Sequence, residues 1–123
     1  MQHICIIGSG NVAWHLCRLF TSVDTVKSIT VLDRNNRFGT INSDKVICIN
    51  TVKIIPENAD FYILAVRDND INGVVSELSS CIPLNANLVH TSGTAMLDSL
   101  LPFENRGCMW PVQSLTKGIE INS

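Results

Sequence analysis

Apolar positions along this chain follow two rhythms in turn. Residues 3–7 form a short apolar run, which predicts a first strand buried on both faces. From 11 to about 21 the period lengthens. Val12, Leu16, Leu19 and Phe20 recur at i, i+4, i+7 and i+8, one stripe of a helix. Residues 28–33 predict a second strand, followed by a loop or short helix over 34–40. A third strand is expected at 45–49, a single helical turn opening at 56–58, and a strongly buried fourth strand within 60–66. Residues 67–70 carry Asp and Asn suited to an N-cap, and Ile71, Val74, Val75 and Leu78 mark a second amphipathic helix. A fifth strand is expected at 86–90. Residues 91–94 then lead into a short helix bearing Met96, Leu97, Leu100 and Leu101, and a sixth strand runs from 107 to about Pro111.

Strands that alternate with helices in this way predict an α/β fold: a doubly wound, mainly parallel six-stranded sheet in three layers, of strand order 3-2-1-4-5-6. The chain holds 123 residues, enough for one such domain and a real core. Charged residues are 16% of it and the net charge is −2, so nothing resembles an electrostatic footprint for nucleic acid or an anionic membrane. No apolar run is long enough to span a bilayer, and the break at Gly8 argues against a signal peptide. The five cysteines are scattered and form no CxxC pair, so neither a zinc site nor a disulfide framework is expected. Most are expected to be buried, reduced thiols in a cytoplasmic protein.

Chemistry enters at the first turn. Gly8-Ser9-Gly10-Asn11-Val12-Ala13 fits the fingerprint GxGxxG/A, with alanine in the last place. The first glycine permits a tight turn, the second lets the backbone approach a pyrophosphate, and the small last residue lets helix and strand pack closely. The phosphates would then meet free N–H groups at a helix N-terminus. Following a buried strand and opening an amphipathic helix, the motif predicts a Rossmann dinucleotide-binding domain over 1–112. About 20 residues beyond it, Asp33 ends the second strand, where an acid accepts hydrogen bonds from ribose hydroxyls and favours NAD. Beside it, Arg34 and Asn35 suit a 2′-phosphate and NADP. The two expectations oppose each other.

Further candidates lie at other strand ends, where open α/β sheets bind ligands. Ala65 and Val66 end the fourth strand as small cofactor neighbours or simple core, and Arg67 follows as a phosphate or substrate contact or a solvated side chain. His90 ends the fifth strand. Its imidazole is placed to donate a proton to a carbonyl or imine as hydride arrives, or else to orient the loop after it.

The segments "IIGSGNVAWHL", "LAVRDNDI" and "VHTSG…RGCMWPVQSLTKG" together resemble a bacterial family that pairs an N-terminal Rossmann-like NADP-binding domain with a C-terminal helical domain of unknown function. Members are described as NADP oxidoreductases, similar to pyrroline-5-carboxylate reductase, 6-phosphogluconate dehydrogenase and coenzyme F420-dependent NADP reductases. The resemblance implies an NADP(H)-binding domain that transfers hydride to or from a small carbonyl or imine substrate. The family's second strand tends to end in a small polar residue followed by arginine; here Asp33 stands in place of the small residue while Arg34 remains. It also implies that residues 113–123 start a linker towards a helical domain not present in this chain, through which a homodimer would form. A non-catalytic NAD(P)-binding module is the alternative from a different class, favoured by the missing domain. A nucleotide-sugar or methyl-donor binder with the same glycine turn is a third.

Overall fold

The computed structural model describes residues 2–34, 43–92 and 95–109. Asn35, Trp110, Pro111 and the expected linker at 113–123 lie outside them. Six strands form one parallel sheet in the order β3-β2-β1-β4-β5-β6: β1 Gln2–Ile7, β2 Val26–Leu32, β3 Val46–Ile49, β4 Phe61–Leu64, β5 Asn87–His90 and β6 Asn105–Cys108. Two helices cover it, α1 Asn11–Thr21 and α2 Asp68–Ser79. Strand order and layering are those expected from the sequence.

The three layers follow from strand alternation. On β1, Cys5 and Ile7 point into one core with Leu32, Tyr62, Leu64 and the α2 residues Ile71, Val75 and Leu78. Ile4 and Ile6 point the other way, into a second core with Ile29, Val31, Ile63 and the α1 residues Ala13, Leu16, Cys17 and Phe20. A strand apolar on both faces must sit centrally, and β1 bonds β2 on one side and β4 on the other. Each fully buried Ile or Leu here contributes on the order of 1.5–3 kcal/mol of transfer free energy. The one buried phenol is satisfied: the Tyr62 hydroxyl donates to the Pro56 carbonyl and accepts from the Ala59 N–H at 3.2 Å.

Some local expectations are corrected. The buried stripe of α1 is Ala13, Leu16, Cys17 and Phe20, while Val12 and Leu19 are half-buried. The helix is rolled by one position so that the small Ala13 meets the sheet. The single turn falls at Val52–Ile54, where Thr51 accepts from the Lys53 N–H, and not at 56–58. Pro56 forces Ile55 into extended backbone and so ends the turn before it. At α2 the N-cap position is Arg67, with no side-chain cap, and Asp68 and Asp70 lie inside the first turn. The turn after β5 is a 3-10 helix, Leu97–Leu100, that buries Leu100 and leaves Met96, Leu97 and Leu101 exposed. The sixth strand begins at Asn105, two residues before its expected start, and ends at Cys108. Only Cys5 and Cys17 of the cysteines are fully buried; Cys48 and Cys108 are exposed and Cys81 is intermediate.

Candidate functional site

The sheet's carboxyl edge opens into a cleft of about 620 Å³ between the β1–α1 turn, the end of β2 and one face of α2. Of the residues singled out in the sequence, Gly8, Ser9, Gly10, Arg34, Ala65, Val66 and Arg67 line it together. Asn11 and Val12 do not: Asn11 is exposed at the helix start and Val12 is half-buried against the α1 core. Asp33 is buried, 5% exposed, behind the lining, with its backbone N–H donating to the Ile49 carbonyl at 2.8 Å.

The two glycines of the turn have different reasons to be glycine. Gly8 has φ of +129°, and a Cβ there would stand 2.3 Å from the Ala65 carbonyl oxygen. Its N–H donates to the Leu32 carbonyl at 3.1 Å, while Ala65 donates to the Ile7 carbonyl at 2.8 Å. The turn is thus pinned across β1, β2 and β4 at the point where the strand order reverses. Gly10 has extended backbone, and a Cβ built on it meets nothing within 4 Å. That space is not needed for packing, and it lies where a ligand's approach would need it.

The two helix N-termini also differ. A helix start leaves its first N–H groups without intrahelical partners and carries partial positive charge. At α2 this is met by Asp68 and Asp70 in the first turn. The α1 start has no acidic residue in its first turn and no side-chain cap; the first helical bond runs from the Trp14 N–H to the Gly10 carbonyl. Only α1 presents an electropositive, uncapped end to the cleft.

Across the cleft, α2 contributes Asn69, Asp70, Gly73, Val74 and Glu77. The Arg34 guanidinium Nη2 donates to Glu77 Oε1 at 2.8 Å, joining the end of β2 to α2 over the mouth. This helix face escapes a sequence reading centred on the glycine turn. Its one local signal is Gly73, a costly residue in a helix interior. Val74, expected as core, is half-buried and faces the cleft.

His90 is not brought to this cleft. It is fully buried at the end of β5, and its Nδ1 accepts from the Ser92 N–H at 3.1 Å, which places the ring proton on Nε2. Among the described residues Nε2 has no hydrogen-bond partner. Ser92 Oγ in turn accepts from the Ala95 N–H at 2.9 Å, as an N-cap does. The thiols are not activated. Burial holds Cys5 near 12, and burial with the Cys48 thiol beside it does the same for Cys17. Burial first, then Asp33, raises Cys48 above the ordinary thiol range.

A doubly wound parallel sheet with a glycine turn at its switch point defines the Rossmann-like class of α/β domains. The sequence profile of the Rossmann-like domain family matches residues 2–113, and the chain belongs to that family. No protein of curated function matches it in sequence. Among solved structures it is similar to a protein from Bacteroides fragilis named as an NADP oxidoreductase, with TM-score 0.74 and 17% identity over 89% of this chain and 44% of that one. It is similar to octopine dehydrogenase in complex with NADH and agmatine, with TM-score 0.64 and 21% identity over 83% of this chain and 32% of that one. It is also similar to 3-hydroxybutyryl-CoA dehydrogenase from Escherichia coli, with TM-score 0.68 and 13% identity over 85% of this chain and 27% of that one. The chain therefore spans less than half the length of each of these proteins. No helix among the described residues is long and apolar enough to cross a membrane.

Proposed function

We propose that this chain is the nicotinamide-dinucleotide-binding domain of an oxidoreductase that reduces or oxidises a small carbonyl or imine compound. The observation that carries the reading is the uncapped α1 N-terminus beside Gly10, whose missing side chain leaves open space in the cleft. These residues fit a pyrophosphate: free N–H groups, helix dipole and room for close approach coincide. In this reading Gly8 holds the turn, Ser9 and Gly10 meet the phosphates, and Ala65, Val66 and Val74 give an apolar wall for the adenosine half. Arg34 is placed at the ribose, where it suits an NADP 2′-phosphate, while Asp33 before it suits the ribose hydroxyls of NAD. Arg67 is the second cation available to the phosphates. When bound, the cofactor would supply the hydride. The protein's part is to orient it and exclude water from the cleft. Substrate binding, and a homodimer, would come through a helical domain of the kind the family resemblance implies.

A second reading, a binding module without catalysis, is favoured by one observation: His90 is buried and not among the residues lining the cleft, and its Nδ1 accepts from the Ser92 N–H. Titration of the purified chain with NADH and NADPH, followed by calorimetry and thermal unfolding, tests the shared premise. Either nucleotide at 100 times its Kd should stabilise the fold by about 2.7 kcal/mol. No stabilisation by either would overturn both readings. Turnover of a panel of keto acids and imines with NAD(P)H supports the enzyme, and binding without turnover supports the module.

A further inference from the structure

The Arg34–Glu77 pair sits at the cleft mouth, where the reading above places the adenosine ribose. We propose that Glu77 is a specificity-determining residue: it holds the Arg34 guanidinium and biases the cleft against a 2′-phosphate and toward a 2′-hydroxyl. The inference rests on the dinucleotide reading of the cleft.

Three observations lead to it. Arg34 and Glu77 both line the cleft, and their 2.8 Å contact spans from the end of β2 to α2. Among the described residues Arg34 is the cation that follows the end of β2, so it is placed to meet a 2′-phosphate. The guanidinium can accept only a limited number of anions in its fork, and here one of its nitrogens already serves a carboxylate. A phosphomonoester carries about −1.5 to −2 charge near neutral pH. Entering the mouth, it must either displace Glu77 from Arg34 or share the guanidinium with it, and both bring like charges together. A 2′-hydroxyl carries no charge and meets no such cost.

The pair is not there chiefly for stability. Both side chains are near half-exposed, 44% and 41%, and such surface pairs stabilise folds little. Arg67 and Asp70 bring one further charge of each sign to the lining, and Glu77 is a carboxylate in direct contact with Arg34.

The test is calorimetric titration of the wild-type chain, Glu77→Gln, Arg34→Gln and the double variant with NADPH and with NADH. Glu77→Gln keeps size and hydrogen-bonding reach while removing the charge, and its Tm should match the wild type. Its NADPH affinity should rise about two- to fivefold, the scale of one solvent-exposed charge pair, while NADH affinity stays within about twofold. The gain should shrink when Glu77→Gln is made in the Arg34→Gln background, because the freed guanidinium is what receives the phosphate. An unchanged NADPH to NADH ratio in Glu77→Gln, with NADH still bound, overturns the inference and leaves the dinucleotide reading intact. A gain as large without Arg34 also overturns it. Failure of both nucleotides to bind the wild-type chain overturns the dinucleotide reading and this inference with it.

Discussion

The carboxyl edge of the sheet ends in two different ways. At β1 the chain leaves the sheet through a glycine turn and a helix start without a cap, and beside the ends of β2 and β4 this leaves an open cleft whose mouth is crossed by charge. At β5 the chain leaves through 91–92, where side chains consume the backbone groups: His90 takes the Ser92 N–H, Ser92 takes the Ala95 N–H, and Cys108 Sγ at the end of β6 donates to the Ser92 carbonyl at 3.3 Å. Both regions offer polar residues at strand ends, which is the position that marks ligand sites in such sheets. Position alone therefore does not make a site. What separates the two is whether the turn leaves its dipoles uncovered.

The sharpest way to break the comparison is at the glycines. Gly8→Ala should destabilise the chain by about 2–4 kcal/mol, since the added Cβ meets backbone and the residue keeps a positive φ. Urea unfolding reads this as a lower midpoint at unchanged m-value. Gly10→Ala should cost the fold only about 0.5–1 kcal/mol, for there is nothing near its Cβ. If a pyrophosphate binds there, the same variant should lose dinucleotide affinity by tenfold or more in calorimetry, out of proportion to its stability. Equal losses in both variants would mean that the two glycines serve one structural purpose.

A smaller effect is expected at the closed end. His90→Leu removes an imidazole whose Nε2 has no partner among the described residues, but leaves the Ser92 N–H without its acceptor. The two changes oppose each other, so stability should move by no more than about 1–2 kcal/mol. Nucleotide affinity should stay within about twofold. A large fall in affinity would show that the closed end communicates with the cleft.

Near neutral pH the smallest effects are those of the thiols. Cys5 and Cys17 are buried in the folded chain and held near 12, whereas in the unfolded chain they titrate near the ordinary thiol value. Below that value both states keep the proton and stability is unaffected. Above it the unfolded state loses protons first, so stability should fall as pH rises from about 9 towards 12. At pH 8 a thiol reagent should reach Cys48 and Cys108 first, and Cys5 and Cys17 only on unfolding. Mass spectrometry of the labelled chain distinguishes the sites.

Much of this was legible in the residues. The apolar run ending at Ile7 reads as a strand buried on both faces, and the order of the sheet came with the doubly wound class that the alternating strands and helices define. The glycine turn was legible because its chemistry is local: strand, turn and helix lie within a dozen residues. The roll of α1 by one position was not, since Cys17 and Leu19 are equally apolar and only packing against Ile6 and Ile63 chooses between them. Glu77 was invisible for a different reason. Its partner Arg34 lies 43 positions away, and the two meet only because the strand order reverses at β1. The place of His90 at a strand end was legible, and of its two readings the structure shows the ring accepting from the loop's Ser92 N–H.

The central place of β1 has a consequence in time. Its two neighbours start at Val26 and Phe61, so the strand that bonds both is made first. At about 5–20 residues per second, synthesis puts several seconds between the emergence of β1 and that of β4. For that interval Ile4, Cys5, Ile6 and Ile7 are apolar on both faces with nothing to cover the second one. This segment is where a nascent-chain chaperone should be found holding on, and its release should coincide with the appearance of residues 61–64.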